Sequence, residues 1–247
     1  MTTTSQQQSA RPAFYAMSTG TGGLRDWVSV LHPPYTAWHL SYVAIGAALA
    51  PRFALWRLGG TLIAFLLAVG VGAHALDELH GRPLGTGISA RALVVAAALG
   101  IAVPVAVGWW YGGLRLLPFM IAGALLAVSY DLELWHGRLH STGAFALSWG
   151  AFPVLVGYYA QDFRLGPAAV VAAFGAAALS VAQRELSLFA RTLRRRATSV
   201  EGRVVLSGGD EVTLDRAMLL RAPEAALRAM TLGIVAIAVA AVVARSV

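Results

Sequence analysis

Cysteine, lysine and asparagine are all absent from the 247 residues. Without cysteine there is no disulfide, no thiolate metal site and no cysteine nucleophile. Without lysine, all 19 basic residues are arginine; beside abundant Ala, Gly and Val this is a codon-usage signature, not a chemical one. Charge is also scarce, at 13%, whereas 57% of residues are hydrophobic and the mean hydropathy is +0.66. Those values exceed soluble-domain averages and indicate a polytopic membrane protein. The net charge of +7 then follows from the positive-inside rule, and no nucleic-acid partner is needed to explain it. Residues 1–22 are polar and lack the apolar core of a signal peptide. No G-x-S-x-G, P-loop or dinucleotide fingerprint occurs, and Ser129, Ser141 and Ser148 near histidines are too weak a basis for a Ser–His hydrolase.

What is abundant is long apolar runs. A spanning helix needs about 20 mostly apolar residues, and seven candidates fall at roughly 34–50, 57–78, 89–109, 113–131, 142–160, 165–185 and 228–246. The fold expected is all-α: a polytopic helical bundle of about seven transmembrane helices. Residues 186–227 break the pattern. "LFARTLRRRATS" reads as a basic amphipathic interfacial helix, and "GRVVLSGGDEVTLD" reads as a β-hairpin turning at Gly-Gly-Asp. The chain thus divides into an N-terminal segment (1–30), a six-helix membrane core (31–185), the helix-and-hairpin insert (186–227) and a last transmembrane helix (228–247). Arginine counts put the N-terminus, 79–91, 132–141 and 186–227 on the cytoplasmic side of a prokaryotic plasma membrane, with the C-terminus outside.

On that topology the ionisable residues collect on one face. All six histidines lie there: His32, His39, His74, His80, His136 and His140. With them come Asp77, Glu78, Asp131, Glu133, Gln183, Arg184 and Glu185, whereas the opposite face has only Asp162 as an acid. Ionisable groups at membrane depth are costly and face a cavity or one another; at helix ends, water and headgroups solvate them equally well. Asp77/His80 and Glu133/His136 have three-residue spacing, which puts both members on one helix face. A carboxylate-x-x-His pair from each of two helices is how helical bundles hold paired metals. The expected ligands are therefore His39, His74, Asp77, Glu78, His80, Glu133, His136 and His140, around iron or zinc. Asp77, Glu78, Asp131 and Glu133 are the candidate catalytic carboxylates. His32, Tyr35, Arg82, Arg138, Gln183, Arg184 and Glu185 are the candidate substrate contacts, the arginines as bidentate anion clamps.

The order of these segments resembles the UbiA superfamily of intramembrane prenyltransferases. The likeness rests on "HPPYTAWHLSYVAIGAALAP" as first helix, "HALDELHG" at the place of a first Asp-rich motif, "STGAFALSWGAFPVLVGYYAQ" as fifth helix and "AQRELSLFARTLRRR" at the place of a second. It covers residues 25–200. It implies a helical bundle whose central cavity opens to the cytoplasm, with Asp-rich motifs that hold Mg²⁺ for an isoprenoid diphosphate. Carried over, His74 falls on the first motif's Asn, Glu78 on its final Asp, and Ala75 where an Asp belongs. Gln183 and Glu185 take second-motif positions. The family has nine spans against seven here.

Thinned carboxylates and added imidazoles shift the expected chemistry from Mg²⁺ toward a transition metal. The leading expectation is a membrane metalloenzyme acting on an isoprenoid or other lipid, with hydroxylation or desaturation at non-haem iron. The alternatives are a Mg²⁺-dependent prenyltransferase or terpene cyclase, and a non-enzymatic carrier or lipid-binding subunit.

Overall fold

A computed structural model describes residues 11–247. It is an all-α bundle with one small hairpin. Helix α1 (Leu24–Val30) is short, and α2 (Pro33–Leu49) follows at once. Five further helices are long and apolar enough to cross a membrane: α3 (Leu55–Leu79), α4 (Ala90–Arg115), α6 (Thr142–Asp162), α7 (Pro167–Arg195) and α8 (Arg216–Ser246). Helix α5 (Leu117–Asp131) is apolar but shorter. Local chemistry sets the boundaries. Pro33 and Pro167 begin helices where the missing N–H has no intrahelical partner to lose. Ser89, Ser141 and Asp215 cap α4, α6 and α8 by accepting from Ala92 N, Ala144 N and Met218 N. Helix α6 stops at Phe163, whose φ of 53° is left-handed.

Helix α7 runs unbroken to Arg195, so the basic stretch expected as a separate interfacial helix continues the preceding one. The hairpin stands as predicted: β1 (Arg203–Val205) pairs antiparallel with β2 (Glu211–Thr213), with Val204 opposite Val212.

The centre of the bundle is the crossing of α2 and α6. Gly46 faces the Val154 carbonyl and Gly157 faces the Val43 carbonyl, so closely that a Cβ at either glycine would drive into backbone. Without a hydrophobic driving force between helices in lipid, such close backbone approach is what gains packing energy. Around it, Trp38 and Tyr42 pack on Val154, Ala173, Ala176 and Ile234, bringing α7 and α8 against α2. The Tyr42 hydroxyl donates to the Ala176 carbonyl at 3.0 Å.

Two helices contain π-turns, Leu66–Ala73 in α3 and Ala146–Ala151 in α6. They meet: Val69 and Ala73 from one pack with Trp149 from the other, together with Ala127 and Tyr130 of α5. Single π-turns inside α-helices occur often at functional sites, and this contact lies where the apolar and polar halves of the bundle join.

Candidate functional site

The polar end of the bundle packs polar side chains from four helices into one buried and half-buried cluster, the polar chamber. Helix α2 brings His32 and Tyr35, α3 brings His74 and Asp77, α5 brings Tyr130 and Asp131, and α7 brings Arg184 and Ser187. The imidazoles of His32 and His74 stack with centroids 4.2 Å apart and planes inclined by 15°. Tyr15, from the N-terminal segment, closes one side with its ring 5.4 Å from those of His32 and Tyr35. Burial pushes the Tyr15 hydroxyl well above its ordinary pKa, with the neighbouring Tyr35 adding to the shift. Four buried polar atoms have no partner here: His32 Nε2, His74 Nδ1, Asp131 Oδ2 and Arg184 Nε. Buried polar groups are ordinarily hydrogen-bonded, so this gathering of unpaired atoms makes the cluster the candidate site.

The remaining expected site residues do other work or lie elsewhere. Glu78 is buried, and its carboxylate accepts from Leu84 N, Thr86 N and Thr86 Oγ1 at 2.8 to 2.9 Å, holding the loop after α3. Glu78→Gln should cost about 2 kcal/mol, because charge-assisted bonds to a buried carboxylate weaken while their donors stay buried; a thermal melt with protease susceptibility of residues 80–88 measures it. Arg82 donates to Ile88 O at 2.6 Å and braces the same loop. His39 is buried deeper, with Nδ1 2.9 Å from the Trp149 carbonyl. Gln183 is buried, whereas Glu185 is exposed and accepts from Thr142 Oγ1. Arg138 is exposed.

Neither carboxylate-x-x-His pair forms a helix face. Helix α3 ends at Leu79, so His80 lies past it with ψ at 86° and its side chain is exposed. Helix α5 ends at Asp131, and Glu133, Trp135 and His136 all adopt positive φ in the turn that follows. The i, i+3 argument holds only inside a helix, and both pairs straddle or follow a terminus. His140 is 3.9 Å from Glu133 on the surface and reaches no third ligand.

The metal expectation is therefore overturned. Among the described residues no three His, Asp or Glu side chains come together to hold a metal ion. The ligand set drawn from His39, His74, Asp77, Glu78, His80, Glu133, His136 and His140 is dispersed, so iron, zinc and magnesium all lose their place. With them goes the metalloenzyme reading and its hydroxylation or desaturation chemistry. Arg184 lies in the same cluster as Asp77 and Asp131 and donates to the Tyr130 hydroxyl.

Several chamber residues were not anticipated: Tyr15, Tyr130, Ser187, Arg191 and Arg195. Arg184, Ser187, Arg191 and Arg195 recur at three- and four-residue steps along α7, a helical face visible only once α7 is known to continue past residue 185.

Beyond the Tyr130–Trp149 layer lies a second feature, an apolar cavity of roughly 300 Å³ between α3, α4, α5 and α6. Its lining includes the exposed Trp56 and Trp110 and the aromatic rings of Phe119, Phe152 and Trp149. Pro104, inside α4, removes a backbone hydrogen bond where that helix borders the cavity. Trp149 lines the cavity and meets the ring of Tyr130, in the polar cluster, edge-on with centroids 5.7 Å apart. Comparison with protein-family models, curated proteins and solved structures finds no match, so the likeness to UbiA proteins rests on segment order.

Proposed function

We propose that the chain is an integral membrane protein that binds a lipid, isoprenoid or other, without a metal, as a carrier or lipid-binding subunit. In this reading α2 and α5 join the five long helices as membrane crossings, in a UbiA-like arrangement. The polar end faces the cytoplasm, since Arg11, Arg25, Arg82, Arg91, Arg138 and the 191–196 cluster lie there. A transferase dependent on Mg²⁺-held diphosphate is disfavoured, because Ala75 stands where the first motif needs an Asp and, among the described residues, no three acids or histidines gather to hold a metal.

The apolar cavity supports this reading most. Ligand pockets are concave and mostly apolar, with a few polar groups at one end to fix orientation. This cavity is lined by aromatic rings, one of which, Trp149, packs on Tyr130 of the polar chamber with its unpartnered polar atoms. A single lipid chain fits such a shape, with its polar end toward the chamber.

Gly123 lines the cavity, and a side chain there would point at the Phe152 ring, 3.4 Å from an added Cβ. Oleyl alcohol at about a hundred times its dissociation constant should stabilise the wild-type protein by about 2.7 kcal/mol. Gly123→Trp fills the cavity and should abolish that stabilisation while leaving the unliganded melting temperature near wild type. Equal stabilisation of variant and wild type would mean that the cavity is not the binding site.

A further inference from the structure

The chamber contains a buried cation without a counter-ion. Arg184 is 6% exposed. Its terminal nitrogens donate to the Tyr130 hydroxyl and, at 2.8 Å, to the His140 carbonyl, both of them neutral acceptors. The Phe145 ring lies 5.1 Å from the guanidinium carbon, and Nε is buried with no acceptor. Among the described residues no carboxylate lies within ion-pair distance of it. Arg194 shows the ordinary solution about 15 Å farther along the same helix, roughly three turns on: it is largely buried too, and Glu224 meets it with both oxygens, at 2.5 and 2.9 Å. A buried guanidinium without such a partner is costly in a membrane protein, and functional sites are where that cost is tolerated.

We propose that Arg184 is an anion site, and that its anion is the single carboxylate head of the lipid whose chain fills the apolar cavity. This rests on the cavity binding a lipid chain. Three observations select the head. The free Nε beside a terminal nitrogen presents the two-donor edge that a flat carboxylate accepts in bidentate fashion. Arg184 offers a single positive charge, so a singly charged head is matched, whereas a doubly charged one would leave its second charge buried without a partner. The third is position. The Tyr130 hydroxyl already occupies one acceptor place on Arg184, while the Tyr130 ring packs with Ala127 and Trp149, both of which line the cavity. A carboxylate on the Nε edge sits beside the Tyr130 hydroxyl that Arg184 also holds, and its chain runs past Tyr130 and Ala127 into the cavity.

The test is equilibrium binding to the purified, delipidated full chain with four probes: oleate, oleyl alcohol, oleyl phosphate and butyrate. Oleate should bind about tenfold or more tighter than oleyl alcohol, the value of one charge-assisted pair. It should also bind tighter than oleyl phosphate, and butyrate should be far weaker for want of a chain. Arg184→Gln should bring the oleate-to-alcohol ratio to about one while alcohol binding persists. Should Arg184→Gln fail to fold, Tyr130→Phe serves: it takes a neutral acceptor away from Arg184 and should raise the ratio, and an unchanged ratio counts against the anion site. Equal oleate and alcohol affinities in the wild type overturn the anion site and leave the cavity reading standing. Phosphate binding as tightly as oleate overturns the single-charge assignment. Butyrate matching oleate overturns the lipid assignment in favour of a soluble anion. Failure of every oleyl probe removes the cavity reading itself, and the proposal with it.

Discussion

Gly46→Leu should abolish the folded bundle in detergent. The reason is backbone, not side-chain, crowding: a Cβ at Gly46 collides with the Val154 carbonyl, and at Gly157 with the Val43 carbonyl. A flexible neighbour can turn aside, but a helix carbonyl moves only if the whole helix moves. Overpacking a core typically costs 1–3 kcal/mol and occasionally more; with backbone as the obstacle and a branched side chain added, roughly 3 kcal/mol or more is expected here. Gly157→Leu should behave alike, because the two glycines serve the same crossing. The control is Gly175→Ala in α7, where an added methyl meets nothing within 4 Å. There the gain is that of alanine over glycine in a helix, about 0.5–1 kcal/mol. Thermal unfolding with gel filtration separates the cases; a Gly46→Leu protein that melts like Gly175→Ala would mean that α2 and α6 do not cross as described.

Much of this architecture is legible in the residues, and the limits of legibility have physical causes. Long apolar runs mark helices because lipid offers no hydrogen bonds to an open backbone, and the alternating run around Gly208-Gly209 marks the hairpin. The crowding of His and acid at one end is legible too, since charge concentrates where helices leave the bilayer. What fails is the step from spacing to geometry. Glu133 and His136 are three apart, but the helix has already ended at Asp131, and a turn with successive positive φ values sends the two side chains apart. Nor does the sequence mark which acids are already engaged: Glu78 has the same composition-level signature as Asp77, yet one is bound to three donors of the loop and the other faces the chamber. Arg184 was visible as an anion clamp by type, but its want of a counter-ion depends on tertiary packing alone.

The second large effect is expected at Asp26, which no motif marks and which holds the chamber's outer wall together. Its carboxylate is fully buried. It accepts from Thr19 N at 2.7 Å, Gly22 N at 2.7 Å, Gly87 N at 2.9 Å and Ser18 Oγ at 3.0 Å. Gly20 and Gly22 have φ of 70° and 76°, conformations that cost a glycine little and that turn successive N–H groups inward around an anion. The "STGTGG" run before Asp26 is thus an anion nest whose anion comes from the chain itself, and Gly87 ties it to the loop that Glu78 holds from the other side. Tyr15, which closes the chamber, is on the segment leading into this knot. Asp26→Ala removes the acceptor and leaves several buried N–H groups unpaired, at 1–3 kcal/mol each; a loss on the order of 3–5 kcal/mol is expected, with the N-terminal segment released. The pH dependence gives an independent check. Burial alone would raise the Asp26 pKa, but the N–H donors of Gly87, Thr19 and Gly22 and the Ser18 hydroxyl outweigh it and hold the group well below the usual carboxylate range. A depressed folded-state pKa contributes stability that is fully present above the unfolded value, about 3.9, and is lost as pH falls toward the folded one. The stability difference between wild type and Asp26→Ala should therefore be flat from about pH 7 to about pH 5 and shrink once pH drops below about 4. A difference that stays constant down to about pH 2 would show that the side chain's volume, and not its charge, holds the knot.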